Sequence, residues 1–168
     1  MVVMDKENKF KLKKPVPSDG KLIWELVKNS KSLDLNSIYH YVLMADHFNE
    51  SSIAAFKDNE LAGFVTAYFP PIKHQTLFVW QVGVSKKFQG RNLGKTMITT
   101  LAKSQLSQKV KYLHATITTS NKASIALFKS TAKSLDSNYK FDEIIYPKDF
   151  FGETGHEPEK LFQIGPIN

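Results

Sequence analysis

The apolar and polar positions of this chain follow two different periods, and together they predict a mixed α/β sheet. Apolar residues recur at helical spacing in four segments, which begin after Ser18, Ser37, Asn92 and Asn121. The first of these helices is predicted to end near Asn29, and the third is predicted to run from 93 to about 107. Short runs of strand-forming residues predict seven strands, over residues 10–13, 53–56, 61–68, 77–84, 112–118, 141–146 and 161–164.

The predicted strand at 77–84 is apolar on both faces, which is typical of a strand in the middle of a sheet. The polar segment 58–60 lies between two predicted strands and indicates the turn of a hairpin. No internal repeat, low-complexity tract or linker divides the chain. We therefore expect residues 1–168 to form a single domain, which suits the usual domain size.

The composition is that of a globular protein and excludes several kinds of chemistry. Hydrophobic residues make up 42% and charged residues 23% of the chain, and there is no cysteine. A disulfide framework, a thiolate metal site and a cysteinyl intermediate are therefore excluded. The five histidines have no close ligand spacing, so no metal site is predicted. Without an apolar run of about 20 residues or a signal peptide, the chain is expected to be cytoplasmic with no membrane partner.

The net charge of +7 is unevenly distributed along the chain. Residues 86–111, the basic segment, contain seven lysines or arginines and no acidic residue. Residues 142–159, the acidic segment, contain six acidic residues and one lysine. Two interpretations stay open: two solvated surfaces of opposite sign, or one site for an anion and another for a cation.

The basic segment begins with a loop between the apolar strand at 77–84 and the helix that starts near Leu93. Unpaired N–H groups at a helix N-terminus form an anion site of the kind that binds pyrophosphate, and Gly90 permits close approach to the backbone. The loop contains neither GxxxxGK[ST] nor GxGxxG. A nucleotide triphosphatase or a Rossmann dinucleotide site is therefore not predicted.

Two motifs resemble the GNAT superfamily of N-acetyltransferases. Val82-Gly83-Val84 followed by Gln89-Gly90-Arg91-Asn92-Leu93-Gly94 resembles its acetyl-CoA loop, [QR]-x-x-G-x-[GA], with Asn92 at the first glycine position. Asn121-x-x-Ser124-x-x-Leu127-Phe128 is similar to its N-x-x-[AS]-x-x-L-[YF] helix. The resemblance implies the GNAT acyl-CoA N-acyltransferase fold, a mixed twisted sheet of about seven strands flanked by about four helices. It also implies acetyl-CoA as cosubstrate and no metal.

In that family the strand backbone pairs with the pantetheine arm, and the loop amides bind the pyrophosphate. The resemblance therefore implies a set of cofactor-binding residues: Val82, Val84, Gln89, Gly90, Arg91, Asn92, Leu93, Gly94, Lys95, Asn121, Ser124 and Phe128. Phe128 stands where many members place a general-acid tyrosine. Since its side chain has no hydroxyl, the thiolate must be protonated by another residue or by water.

Three further segments resemble one group within that superfamily, the L-2,4-diaminobutyrate acetyltransferases of ectoine biosynthesis. These segments are Leu33-Asp34-Leu35-Asn36-Ser37-x-Tyr39-x-Tyr41, Phe78-Val79-Trp80-Gln81-Val82-Gly83-Val84 and His156-Glu157-x-Glu159-x-Leu161-Phe162. With the CoA motifs between them, the similarity extends over nearly the whole chain. It implies acetylation of the γ-amine to N4-acetyl-L-2,4-diaminobutyrate, a step toward a compatible solute under osmotic stress. It also implies a homodimer.

The resemblance implies that six residues bind the diamine: Asp34, Asn36, Tyr39, Trp80, His156 and Glu159. Glu159, His156 and the Val82 backbone form the predicted catalytic set, with Glu159 as proton acceptor and the Val82 N–H as oxyanion donor. Each side chain also has a structural interpretation. Trp80 suits a core, Asp34 and Asn36 suit helix capping, Tyr39 suits helix packing, and the charges at 156–159 suit a solvated loop.

Other functions remain to be distinguished. A nucleic-acid-binding module would use Lys9, Lys11, Lys13 and Lys14 as a basic arm, but the chain has no recognition signature and the acidic segment would repel phosphates. We therefore expect no nucleic-acid partner. The remaining alternatives are an acetyltransferase for another diamine, amino acid or peptide amine, and a non-catalytic CoA-binding module.

Overall fold

The computed structural model describes residues 2–4, 10–30, 32–105 and 110–167. These residues form nine strands and four α-helices. In chain order they are β1 (Val2–Met4), β2 (Lys11–Lys13), α1 (Gly20–Ser30), α2 (Ile38–His47), β3 (Ile53–Lys57), β4 (Glu60–Tyr68), β5 (Thr76–Val84), α3 (Leu93–Gln105), β6 (Tyr112–Thr118), α4 (Lys122–Ser134), β7 (Tyr139–Lys140), β8 (Ile144–Tyr146) and β9 (Glu159–Ile164).

All nine strands belong to one sheet, in the order β1-β2-β3-β4-β5-β6-β9-β7, with β8 also paired to β9. Only β5 and β6 pair in parallel, and they are connected by α3. The other pairs are antiparallel. The interior place of β5 agrees with its apolar residues on both faces.

The two halves of the sheet separate along β5 and β6. The parallel pairing covers three residues of each strand and ends at Phe78 and His114. Beyond that point β5 stays paired with β4 as far as Val84, and β6 stays paired with β9 as far as Thr118. The divergence leaves a V-shaped cleft in the middle of the sheet.

Helices cover both faces of the sheet and bury two apolar clusters. On one face α3 and α4 pack over the larger cluster, where Met97, Phe128 and Phe162 are buried. On the other face α1 and α2 pack over a smaller cluster around Tyr41 and Phe64. Burial of such side chains stabilises the fold by roughly 1.5–3 kcal/mol each, so both sides of the cleft have rigid support.

Local signals in the sequence agree with the structure at the hairpin and at two helix starts. Asp58 and Asn59 both have positive φ, 49° and 64°, as a two-residue type I′ turn requires. The Ser37 hydroxyl accepts the His40 N–H at 3.1 Å and caps α2. Asn121 caps α4 in the same way.

The expected strand count was too low because two strands depend on pairing rather than on pattern. The short edge strand β1 was not predicted, and it exists because it pairs with β2. The two-residue strand β7 was not predicted either, and it exists because it pairs with β9. The predicted strand at 141–146 is wrong at its start, since only Ile144–Tyr146 form a strand there, β8, which pairs with another part of β9. Ser18 is not the cap of α1, since it lies inside the 3₁₀ turn Pro17–Asp19.

Some sequence predictions concern residues that the structure does not describe. The predicted end of the third helix, Leu106 and Ser107, and Lys9 of the basic arm lie outside the described residues. Among the residues that are described, no helix has the length and apolar character needed to cross a membrane.

Candidate active site

The cleft between β5 and β6 opens into a cavity of about 510 Å³. Its walls come from β5, β6, α4, the loop before α2 and the segment between β8 and β9. The cavity brings together nine of the predicted site residues: Asp34, Asn36, Trp80, Val82, Asn121, Ser124, Phe128, His156 and Glu159. These residues are far apart in the sequence, so the fold places the predicted diamine and CoA groups around one space.

The backbone of β5 presents peptide groups to this cleft. Ser85 donates its N–H to the Ala62 carbonyl at 2.9 Å, which shows the phase of the antiparallel ladder with β4. Because N–H and C=O groups alternate in direction along such a ladder, those of Val82 and Val84 point away from β4, toward the cleft. The Val84 carbonyl accepts the side-chain amide of Gln89 at 3.1 Å. The backbone that is predicted to bind pantetheine therefore faces the cleft.

The loop after β5 has the backbone conformation of an anion site. Gly90 and Asn92 have positive φ values of 76° and 57°, so Asn92 adopts the left-handed conformation that its family position demands. The first helical hydrogen bond runs from the Thr96 N–H to the Asn92 carbonyl, at 2.9 Å. The N–H groups at positions 93–95 precede that bond and are the unpaired donors of the helix start. Residues 89–95 do not line the cavity itself and lie beyond the end of β5.

The start of α4 forms another wall of the cavity. The Asn121 side-chain oxygen accepts the Ser124 N–H at 3.0 Å, and both residues line the cavity. One turn further on, Phe128 is buried against Phe162, with ring centroids 5.5 Å apart. Phe128 thus adds an apolar surface where many members of the superfamily have a tyrosine hydroxyl.

Glu159 and His156 form a coupled pair at the start of β9. The Nδ1–H of His156 donates to the Glu157 carbonyl, because a carbonyl oxygen only accepts and the two atoms are 2.6 Å apart. Nε2 of the same ring lies 3.6 Å from Oε1 of Glu159. Because Nδ1 is bound to the carbonyl, Nε2 is the ring atom that faces the carboxylate. The ring is held by stacking on Phe151, with centroids 4.1 Å apart.

The surroundings of Glu159 favour its protonated form. Burial raises the pKa of its carboxyl above 4.5, and the charges of Asp34 and Glu157 raise it further. His156 and the Thr116 hydroxyl act in the opposite direction. Oε2 is buried and has no hydrogen-bond partner among the described residues. Such a carboxylate is a stronger base than an exposed one, and its free oxygen can accept a proton inside the cavity.

Trp80 is an extra residue at a β-bulge. Thr66 of β4 pairs with Gln81, but the next residue, Ala67, pairs with Val79, so Trp80 has no partner across the ladder. A bulge redirects the side chain, and that of Trp80 lines the cavity and remains 49% exposed. The structural interpretation of Trp80 as a core residue is therefore wrong.

The expectation that Tyr39 faces the site disagrees with the structure. Tyr39 is 69% exposed and lies outside the cavity, whereas Tyr41 is fully buried. Two residues correspond to about 200° around a helix, so the two rings lie on nearly opposite sides of α2. Tyr41 is the tyrosine directed toward the sheet, and its hydroxyl reaches Gln81 of β5.

The sequence interpretation missed several lining residues, which include Gln81, Thr116, Tyr146, Phe150 and Phe151. Three of them are aromatic residues within the acidic segment, a composition that favours a wall for an organic cation over a simple solvated loop. Within the described ranges, no group of three or more histidine, aspartate and glutamate side chains is arranged to hold a metal ion.

Comparison with known proteins agrees with this geometry. The profile described as "Acetyltransferase (GNAT) family" matches residues 21–132. The L-2,4-diaminobutyric acid acetyltransferase of Marinococcus halophilus is 45% identical over 154 residues, covering 92% of this chain and 88% of that protein. The enzyme of the same name from Shouchella clausii is 41% identical over 160 residues, 93% of this chain and 86% of that protein.

Solved structures show the same similarity in three dimensions. Diaminobutyrate acetyltransferase EctA from Paenibacillus lautus, in complex with L-2,4-diaminobutyric acid and coenzyme A, superposes with a TM-score of 0.87. It is 34% identical, and the match covers 94% of this chain and 95% of that chain. Ard1 from Thermoplasma volcanium is only 11% identical but has a TM-score of 0.74 over 93% of this chain and 97% of its own, which indicates a shared fold alone.

Proposed function

Because this chain belongs to the L-2,4-diaminobutyric acid acetyltransferases, within the acetyltransferase (GNAT) family, we propose that it transfers acetyl from acetyl-CoA to the γ-amine of L-2,4-diaminobutyrate. The product is N4-acetyl-L-2,4-diaminobutyrate, on the route to ectoine. The observation that carries the proposal is the cavity in the β5–β6 cleft, with an acidic end at Asp34 and Glu159 and strand backbone at Val82. The expected GNAT fold is confirmed, with nine strands instead of about seven.

Acetyl-CoA binds across the cleft and the loop that follows β5. The N–H groups at the start of α3, beside Arg91 and Lys95, hold the pyrophosphate, since a helix N-terminus favours anions. The pantetheine arm pairs with the backbone of Val82 and Val84, which β6 leaves unpaired after it diverges. Asn121 and Ser124 of the opposite wall contact the arm, as in the helix motif of the superfamily. This places the thioester beside Val82, within the cavity.

The diamine binds at the acidic end of the cavity. Asp34 and Glu159 attract its ammonium groups, and the charge of Asp34 is felt at Glu159. Trp80 and Asn36 supply N–H donors for the substrate carboxylate. The substrate carries two ammonium groups and one carboxylate and is therefore a net cation, so a site with more acidic than basic groups complements it. The basic segment and the acidic segment thus serve CoA and amine, respectively.

The reaction is a direct attack in a ternary complex, because the chain has no cysteine to carry the acetyl group. An alkylammonium has a pKa near 10.4, like lysine, so it must lose a proton before its nitrogen attacks the thioester carbon. Glu159 takes that proton, directly or through a water molecule. The C–N bond forms and the C–S bond breaks. The attacking nitrogen then loses its second proton, and a proton reaches the CoA thiolate through water, since Phe128 has no hydroxyl to donate.

The Val82 N–H stabilises the oxyanion of the tetrahedral intermediate. A donor fixed in a strand is preorganised, and loss of one such donor costs about 10²–10³ in rate in enzymes that use one. The prediction is checked in a crystal complex with a non-hydrolysable acetyl-CoA analogue. We expect the analogue's carbonyl oxygen within about 3 Å of the Val82 nitrogen. An oxygen without any donor in hydrogen-bond range contradicts this role.

The function is tested by acetyl-CoA-dependent thiol release from the purified protein. The amines are L-2,4-diaminobutyrate, ornithine, lysine, 2,3-diaminopropionate, spermidine and a short peptide, and mass fragmentation locates the acetyl group. We expect diaminobutyrate to give the highest kcat/KM, with acetylation at the γ-nitrogen. Preference for another amine would reopen the assignments of Asp34, Trp80, His156 and Glu159. Absence of thiol release with every amine would favour a non-catalytic CoA-binding module.

We further infer a homodimer that acts in the cytoplasm, without nucleic acid or membrane. The dimer is supported by large exposed apolar side chains beside the cavity, among them Leu35 and Phe150, at 49% and 71% exposure. The compartment follows from the need for acetyl-CoA. Light scattering on the protein used for the amine panel tests the dimer, which has twice the mass of the chain, and a single-chain mass contradicts it.

A further inference from the structure

A ring of hydrogen bonds joins β5 to the loop that precedes α2. The Tyr41 hydroxyl donates to Oε1 of Gln81 at 3.1 Å and accepts the backbone N–H of Asn36 at 3.4 Å. Nε2 of Gln81 donates to the backbone carbonyl of Asp34 at 2.9 Å. Two side chains from different elements therefore hold the backbone on both sides of Leu35.

The ring lies at the wall of the cavity. Gln81 follows Trp80 at the bulge and precedes Val82, and all three line the cavity. The neighbouring loop residues Asp34 and Asn36 line it as well. Residues 34–36 belong to no helix or strand, so their position depends on contacts with the rest of the chain. The Tyr41 ring is fully buried and cannot shift without disturbing Phe64, its edge-to-face neighbour at 6.4 Å.

Close packing against Gly83 of β5 supports the start of the same loop, at Leu33. A Cβ at Gly83 would lie 2.6 Å from the Phe64 ring and 3.1 Å from the Leu33 side chain. Both side chains therefore pack directly against the backbone of Gly83. The backbone around Asp34 is thus tied by apolar packing at one end and by the Tyr41–Gln81 ring at the other. This arrangement fixes the separation between the Asp34 backbone, from which the carboxylate projects, and β5.

We propose that Tyr41 and Gln81 are positioning residues that select the diamine by its length, by holding the Asp34–Asn36 loop at a set distance from β5. The inference rests on the proposed function, because that distance must match the spacing between the amine held near Asp34 and the nitrogen that attacks at Val82. A rigid loop places the γ-nitrogen of diaminobutyrate at the thioester. Ornithine, longer by one methylene, puts its nitrogen in the wrong position unless the loop moves.

The test uses Tyr41→Phe, with Tyr39→Phe as its matched control on the same helix. Tyr41→Phe leaves Oε1 of Gln81 and the Asn36 N–H without their partner, whereas Tyr39 lies outside the cavity. We expect Tyr41→Phe to raise KM for diaminobutyrate about 10-fold and to lower the diaminobutyrate-to-ornithine ratio of kcat/KM at least about 5-fold. KM for acetyl-CoA and all constants of Tyr39→Phe stay within about twofold of wild type.

A second variant tests whether the two residues act together. Gln81→Leu removes the same ring from the strand side, and we expect the same loss of selectivity. Since both changes break one network, the double variant Tyr41→Phe/Gln81→Leu loses little more than either alone. Additive losses, or equal losses of kcat/KM for diaminobutyrate and ornithine, overturn the proposal and indicate a merely structural role.

A readout independent of catalysis separates this proposal from the proposed function. Hydrogen exchange of the peptide containing residues 33–37 is expected to be faster in Tyr41→Phe than in Tyr39→Phe, with melting temperatures that remain similar. Unchanged exchange overturns the ring as the support of the loop. If wild-type protein fails to acetylate diaminobutyrate, the proposed function fails while the exchange result still decides the role of the ring.

Discussion

Replacement of Glu159 by glutamine is expected to lower kcat/KM for diaminobutyrate acetylation by about 10²–10⁴, the usual range for loss of a positioned general base. The carboxylate has a free, buried Oε2 and is the acidic group whose pKa the cavity raises. Glutamine keeps the size and one hydrogen-bonding oxygen but cannot accept the proton. KM for acetyl-CoA is expected to remain unchanged, because Glu159 lies away from the CoA loop.

The pH profile provides the sharper measurement for Glu159. The wild-type base works only when ionised, so kcat/KM is expected to fall as the pH drops through the raised pKa of Glu159, above the ordinary value of 4.5. Asp34, Glu157 and His156 face this carboxyl, and variants of them shift that acid limb. In Glu159→Gln the limb disappears.

The same raised pKa means that ionisation of Glu159 costs native stability as the pH rises from 4.5 through the pKa of the folded state.

Glu153→Gln is the matched control, since Glu153 is an exposed acid in the same segment. It removes one negative charge from the acidic segment without reaching the cavity lining. We expect it to retain the wild-type rate and acid limb. If Glu159→Gln also retains both, the amine loses its proton to another group, and the role of Glu159 as base is wrong.

Replacement of Asp34 by asparagine is expected to raise KM for diaminobutyrate about 10- to 100-fold. A hydrogen bond to a charged group contributes about 1.5–3 kcal/mol, which corresponds to that range of affinity. The Asp34 backbone stays in the Tyr41–Gln81 ring, because Gln81 binds its carbonyl and not its side chain. KM for acetyl-CoA is expected to stay constant, so the effect is confined to the diamine.

Steady-state kinetics with each substrate varied in turn measures the Asp34→Asn effect. Asp46→Asn, at an exposed position of α2, is the control for the loss of one negative charge. Because Asp34 is exposed, the difference between wild type and Asp34→Asn should shrink as the salt concentration rises. Normal KM values for both substrates in Asp34→Asn would show that another group holds the ammonium.

Features that depend on a few neighbouring residues could be predicted from the sequence. The Ser37 and Asn121 caps each join a side chain to an N–H three residues later. The left-handed Asn92 and the turn at 58–60 are similarly local. In each case the bonding partners are within one turn of chain, so residue types and spacing specify the geometry.

The tyrosines of α2 show where this kind of prediction fails. Tyr39 and Tyr41 have the same chemistry and both begin the helix, so their types do not indicate which one reaches the sheet. That choice depends on the rotation of α2 about its axis, which is set by packing of Tyr41 against Phe64 and by the Gln81 bond. Trp80 is a similar case, because its direction depends on a bulge relative to β4.

The order of the helices, the apolar central strand and the residue types of the CoA loop are properties of the amino-acid sequence, since they arise from spacing and short-range hydrogen bonds. The cleft is different, because it exists where β5 and β6 stop pairing at Phe78 and His114. The raised pKa of Glu159 also depends on burial and on charges brought from other segments, including Asp34, 125 residues earlier in the chain. Pairing and burial are sums over distant contacts, so the site acquires its chemistry only when the chain folds.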